Sequence, residues 1–210
     1  MRIVVFGGGG RAGRATVAEA RARGHEVTAV VRDPRRHPEL PATRTVAGDV
    51  TVVEDVRRAA EGQDAAISAV ADLTVPADAF YTGAADALTA GLRTAGVGRL
   101  LVVGIASVLP GRSGAPLMDE PGYPREHRAF LLGHAAGLAR LREAALDWVY
   151  AAPAGDFDHE GGRTGRYRLA EHGAAEDRIS YADLAVALLD EVERPAHHRA
   201  LLAVAGDGDR

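Results

Sequence analysis

Along almost the whole chain, short runs of uninterrupted apolar residues alternate with longer segments in which apolar residues recur every three or four positions. Ile3 to Phe6 is apolar throughout and ends at Gly7, the pattern of a strand buried on both faces of a parallel sheet. From Arg11 to Arg23, Ala12, Ala15, Val17, Ala18 and Ala22 alternate with arginines and Glu19, and Gly24 follows as a stop, which predicts an amphipathic helix. Further strands are expected at Glu26 to Val31, Arg44 to Val46, Ala65 to Val70, Arg99 to Val103, Trp148 to Ala151 and Leu201 to Ala205. Further helices are expected at Thr51 to Ala60, with Thr51 as the cap, and at Asp78 to Ala95, Glu126 to Ala145 and Ala182 to Glu193. No repeat, low-complexity tract or linker interrupts the alternation.

Strands that alternate with helices imply an α/β fold, a doubly wound parallel sheet covered on both faces, with ligands at the carboxyl ends of the strands. The chemistry is therefore expected at the strand exits, residues 7–13, 32–36, 48–50, 68–72, 104–109 and 153–157. A length of 210 residues suits one hydrophobic core, hence one domain over residues 1–210.

The first exit carries four consecutive glycines, Gly7 to Gly10, directly before a helix. Gly7, Gly10 and Gly13 read G-x-x-G-x-x-G, and Gly8, Gly10 and Gly13 read G-x-G-x-x-G. The first glycine permits a tight turn, Gly10 lets a pyrophosphate approach the backbone, and Gly13 lets the helix pack close to the strand. At the second strand's exit the chain reads "VVRDPRR". Dinucleotide sites for NAD place an acid there for the ribose 2′-hydroxyl, whereas those for NADP place arginine near the 2′-phosphate. Arg32, with Arg36 within reach and Arg11 at the start of the helix, favours NADP(H) over NAD(H), and Asp33 is the acid that would argue for NAD.

Composition narrows the partners. A net charge of −4 and an isoelectric point near 6.1, with 5% aromatic residues, argue against nucleic acid. The absence of cysteine excludes disulfides, a thiolate nucleophile and cysteine-ligated zinc, and the N-terminal apolar run is too short for a signal peptide. A cytoplasmic protein acting on a small molecule, without a membrane or nucleic-acid partner, is expected; a homodimer is compatible with everything in the sequence. All 25 basic side chains other than histidine are arginine, which rules out a P-loop and any lysine amine.

The blocks "VVFGGGGRAGR", "GHEVTAVVRDP", "VAGDV", "DAAISAV", "LDWVYAAPAGDF", "GGRTGRYRL" and "ISYADLAVALLDEVERPAH" together resemble the atypical short-chain dehydrogenase/reductases with an NAD(P)H-binding domain, the set that includes NmrA-like proteins and the biliverdin and flavin reductases. The resemblance spans nearly the whole chain. It implies a Rossmann sheet of order 3-2-1-4-5-6 with an added C-terminal strand. It also implies that Gly7, Gly10 and Gly13 hold the pyrophosphate, Arg32 and Arg36 the 2′-phosphate, and Asp49 and Val50 the adenine. Ser68, Ala69 and Val70 would line the path between the two riboses, with Gly104 and Pro153 near the nicotinamide.

The chain departs from the broader superfamily where proton transfer is concerned. A Tyr-x-x-x-Lys pair needs lysine to lower the tyrosine pKa, and here Tyr123 is followed at that spacing by His127 and then Arg128. Hydride transfer to a conjugated acceptor does not need the pair, because positioning two rings suffices. The side chains that could still take part are Ser107, beyond the fifth strand, and His127 and His134, which share one face of the predicted helix with Leu131, Leu138 and Leu141. Tyr81 and Tyr123 read as packing residues, "DFDHE" at residues 156–160 and the pair His197 and His198 as solvated loops, and Gly111 to Gly114 as part of a loop over the pocket. Three classes of function follow: an NADPH-dependent reductase of an aromatic or conjugated substrate, which is preferred, an NADP-sensing regulator, and a non-redox isomerase, dehydratase or cyclase.

Overall fold

A computed structural model describes residues 1–207. Its strands are β1 (Arg2–Phe6), β2 (Glu26–Val31), β3 (Arg44–Ala47), β4 (Ala65–Ser68), β5 (Arg99–Val103), β6 (Asp147–Pro153), β7 (Asp156–Asp158), β8 (Tyr167–Ala170), β9 (Arg178–Ser180) and β10 (Ala200–Gly206). Its α-helices are α1 (Arg11–Ala22), α2 (Val53–Ala60), α3 (Ala77–Ala95), α4 (Arg128–Glu143) and α5 (Tyr181–Glu193). One sheet runs β3-β2-β1-β4-β5-β6-β10-β8, parallel except for β8, which pairs antiparallel with β10 at the edge. The order 3-2-1-4-5-6 is that of a Rossmann fold, with β10 added beside β6.

Each central strand is apolar on both sides because each side meets helices. In β1, Val4 and Phe6 face a core shared with Val56 of α2, Leu88 of α3 and Leu138 of α4. Ile3 and Val5 face the opposite core, with Val17 of α1 and Leu184 of α5. The two helices on that second face are also tied by charge: Arg23, at the C-cap of α1, bonds Glu19, Asp190 and Glu193, and Arg163 closes onto Glu19.

The structure moves several expected boundaries. Thr51 does not cap α2; Val52 holds that position, and Thr51 instead donates its N–H and hydroxyl to Asp49 Oδ1 at 2.9 and 2.7 Å in a local turn. Helix α4 starts at Arg128, with His127 at its N-cap in a left-handed conformation (φ 63°). His127 is therefore exposed rather than on the helix face shared by Leu138 and Leu141. Strands β7, β8 and β9 add to the expected set, and β7 pairs in parallel with β9 as a separate ribbon.

Helices α3 and α4 approach closely because α4 has no side chain where they meet. A Cβ at Gly133 would lie 2.6 Å from the Ala77 carbonyl carbon, and one at Gly137 would lie 2.9 Å from Tyr81 Cβ. Gly133→Ala gains about 1 kcal/mol of helix propensity. The clash is with backbone, which cannot swing aside, so overpacking of about 1–3 kcal/mol outweighs that gain. Urea denaturation is expected to show Gly133→Ala less stable than the wild type; an unchanged or higher midpoint would contradict this packing.

Candidate cofactor site

The glycine turn gives each of its glycines a different job. Gly7 has φ +77°, and a Cβ there would lie 2.5 Å from the Ala69 carbonyl oxygen. The N–H groups of Gly7 and Gly8 both donate to Val30 O, which anchors the turn to β2. A Cβ at Gly8 would press on Ala29 Cβ at 3.0 Å, one at Gly9 would overlap the His37 ring, and one at Gly13 would come within 2.1 Å of Gly7 O. Gly10 differs, since its nearest neighbour would be Gly7 O at 3.6 Å. Gly8 faces the sheet and Gly10 the open cleft. The N-terminus of α1, beginning after Gly10, carries no side-chain cap and no acidic residue in its first turn, which leaves the positive end of the helix dipole available to an anion.

This turn opens into a cleft of about 970 Å³ along the carboxyl edge of the sheet. Of the residues expected to bind a cofactor or act in catalysis, Gly7, Gly10, Arg11, Arg32, Arg36, Asp49, Val50, Ala69, Val70, Gly104 and His134 line it. Gly13 lies beneath the turn, Ser68 is buried at the end of β4, and Pro153 is buried at the end of β6. Ser107 is buried in a 3-10 turn, its hydroxyl without a partner among the described residues. His127 and Ser107 are not among the cleft's lining residues. The loop around Gly111 to Gly114 also stays out of the lining; it closes on itself through Gly111 N–H to Ala115 O and is held by Glu120.

One end of the cleft is basic. Arg32 lies 2.5 Å from Asp72 Oδ2, and Asp72 Oδ1 accepts from Thr74 N–H and hydroxyl. Those Thr74 bonds, with Arg32 beside them, hold the Asp72 carboxyl below the usual carboxylate range. Asp33 does not line the cleft: it caps the 3-10 turn Pro34–Arg36 by accepting from Arg35 N–H at 3.1 Å, and it pairs with the Arg35 side chain.

The other end is aromatic. Tyr81 lies against His134 with ring centroids 3.8 Å apart and planes tilted by 35°, and Phe130 meets both rings edge-on. His134 Nδ1 lies 3.1 Å from the hydroxyl of Tyr150, which accepts the Ile105 N–H at 3.2 Å. Gly104 permits this arrangement, because a Cβ there would fall inside the Tyr150 ring. Burial pushes the His134 pKa down to about 3, so the ring is neutral. On the facing wall Phe157 and Tyr181 stack at 4.1 Å and 17°, and His159 Nδ1 lies 3.1 Å from both Arg11 Nη1 and the Tyr181 hydroxyl. Phe157 falls at the end of the strand exit 153–157 where chemistry is expected, but inside the stretch 156–160 that reads as a solvated loop; the alternation Asp-Phe-Asp is the one local signal of its strand.

The family model for NAD(P)H-binding proteins matches residues 7–195. The chain belongs to the NAD(P)H-binding family. Among solved structures, this NAD(P)H-binding protein is similar to SP1627 of Streptococcus pneumoniae TIGR4, described as "a putative NADH-flavin reductase" (32% identity, TM-score 0.84, 99% of this chain and 100% of that one). It is also similar to a "putative epimerase" of Bacteroides thetaiotaomicron (31%, TM-score 0.86, 100% and 98%) and to a "putative exported protein" of Burkholderia pseudomallei (33%, TM-score 0.85, 98% and 99%). The residues present fit a nicotinamide dinucleotide. An uncapped helix end stands at the glycine turn, and the one glycine of the four whose Cβ would meet nothing closer than ordinary van der Waals contact, Gly7 O at 3.6 Å, sits at that helix end.

Gly10→Val is therefore expected to abolish NAD(P)H binding in a fluorescence titration while leaving the thermal midpoint nearly unchanged, whereas Gly8→Ala acts through the fold and lowers the midpoint. Equal losses of stability would remove the distinction between cleft and sheet glycines.

His134 makes a separate prediction. Its folded pKa of about 3 lies below the ordinary 6.5. Between those values the unfolded chain binds a proton that the folded chain refuses, so this contribution to stability is complete above pH 6.5 and is lost on acidification, by about 1.4 kcal/mol per pH unit. Urea unfolding at pH 7 and pH 4.5 should show a smaller acid loss for His134→Phe than for the wild type. Parallel losses would mean that His134 is not the group responsible.

Proposed function

We propose that the protein is an NADPH-dependent reductase that delivers hydride to a small planar, conjugated acceptor. The observation that carries this reading is the make-up of the cleft, with Arg32, Arg36 and His37 beside Asp49 and Asp72 at the adenosine end and aromatic rings at the other, and with Asp33, the acid that would argue for NAD, engaged as a turn cap. In this reading Gly7, Gly10 and the start of α1 receive the pyrophosphate, with Gly13 allowing the close approach of the helix. Arg32 and Arg36 receive the 2′-phosphate, Arg11 adds positive potential, and Asp49 and Val50 flank the adenine. Ala69, Val70 and Gly104 line the way to the aromatic end, supported from below by Ser68 and Pro153.

A bound nicotinamide supplies the hydride. The chain's part is to orient the two rings: Tyr81, Phe130, Phe157 and Tyr181 form walls for a second ring. Neither His134, neutral and bonded to Tyr150, nor Ser107, buried and not among the cleft's lining residues, is placed as a strong acid, and no lysine is present to assist a tyrosine. The acceptor's proton comes from solvent. The similarity to SP1627 supports the oxidoreductase class. The similarity to the Bacteroides protein favours a second reading, a non-redox epimerase on the same scaffold, which would turn over without net consumption of NADPH. A cytoplasmic location belongs to the proposal; among the described residues no helix is long and apolar enough to cross a membrane.

The test combines calorimetry and turnover. Arg32→Glu should weaken NADPH by about 1.5–3 kcal/mol while changing NADH little. NADPH oxidation should appear with at least one acceptor among flavins, quinones and enones. Equal wild-type affinity for both cofactors, unmoved by the substitution, would overturn the choice of NADP; tight binding without oxidation of any acceptor would overturn the reductase.

A further inference from the structure

We propose that His37 is a specificity-determining residue of this site, a neutral imidazole whose Nε2–H is offered to the 2′-phosphate of NADP(H). The inference rests on the dinucleotide reading above and adds to it a donor that no sequence motif marks.

His37 follows the 3-10 turn that carries Arg36, and it lines the cleft with Arg32 and Arg36. Its ring lies over the glycine turn: a Cβ on Gly9 would come within 2.5 Å of Nε2 and 2.6 Å of Cε1. The third glycine of the run is thus the gap that admits this imidazole. The ring is held from behind by Arg14, whose Nη2 lies 3.0 Å from His37 Nδ1. Arg14 is itself fixed, donating through Nε to Gly9 O at 2.8 Å and pairing with Glu39.

The hydrogen-bond chemistry then assigns the tautomer. A guanidinium can only donate, so Nδ1 must accept and the proton of the neutral ring sits on Nε2. Nε2 makes no hydrogen bond to another described residue. A donor held in place and left unpaired, with two arginine side chains on the same stretch of the cleft, suits an anion. The choice among the cofactor's phosphates follows from position. The pyrophosphate belongs to the end of α1 at Gly10, whereas residues just past the second strand meet the adenosine ribose. His37 shares its loop with Arg32 and Arg36 on that ribose side. A neutral donor also adds no further positive charge to a loop that already carries both arginines.

NADPH and NADH differ only in the 2′-phosphate, so calorimetric affinities for the two on the intact protein isolate the contact. His37→Ala should weaken NADPH roughly tenfold and NADH less than about twofold. His37→Gln, which keeps an N–H at a similar reach, should recover part of the loss. Gly9→Ala should imitate His37→Ala by displacing the ring, and in the His37→Ala background it should add almost nothing, because the atom it collides with is gone. A wild type that prefers NADPH but keeps that preference in His37→Ala would overturn this inference alone, as would effects of Gly9→Ala and His37→Ala that multiply. A wild type with no preference for NADPH would overturn the NADP reading, and this assignment with it.

Discussion

The constraint on which the site depends is the distance between a strand's last residue and a helix's first turn. Strand β1 is central in the sheet, so its continuation has to turn out of the sheet plane and start α1 almost at once. Gly13, whose Cβ would lie 2.1 Å from Gly7 O, shows how closely the helix lies on its own turn. No residue with a side chain could stand there without moving backbone. That closeness points the helix end at the mouth of the cleft, where the partial positive charge of the first turn is left without a side-chain cap.

Around that turn, position is maintained by pairing arginines with fixed carboxylates. Asp72, buried and bonded to Thr74, holds Arg32; Glu39 holds Arg14; Asp33 holds Arg35 and caps the turn that follows β2. Exposed pairs of this kind contribute little to stability. Their effect lies in orientation, since each guanidinium keeps further N–H donors that the carboxylate does not use. The far end of the cleft is held differently, by packing. Tyr150 under Gly104 and His134 under Tyr81 form a desolvated polar pair behind an aromatic surface, which keeps the histidine neutral and the wall flat.

Much of this was legible along the chain. The apolar strands β1, β2, β4 and β5 and the periodic helices α1, α3 and α5 stand out because a strand covered on both faces and a helix covered on one leave opposite periodicities. The glycine turn and the arginines after β2 were legible for the same reason: they are local, and their spacing is the signal. Strands β7, β8 and β9 were not, because they are three or four residues long, partly exposed and rich in polar residues. His127 was misplaced because helical spacing gives no warning of a residue that turns left-handed at the cap.

The sequence alone therefore determined the alternation of strands and helices and the exit at which a phosphate could approach backbone, which are properties of neighbours in the chain, and the exclusion of lysine and cysteine chemistry, which is a property of composition. Folding determined which glycine faces solvent and which faces the sheet, that Asp33 closes a turn while Asp72 meets Arg32, and that His37 lies on Gly9 while Ser107 is buried away from the cleft. Apart from the local turn at Asp33, those outcomes hang on contacts between distant segments, forty residues apart for Arg32 and Asp72 and about sixty for the glycine turn and Ala69, and on the volume left between them. A one-dimensional pattern carries neither quantity, because burial and reach exist only once the sheet has brought its strand ends together.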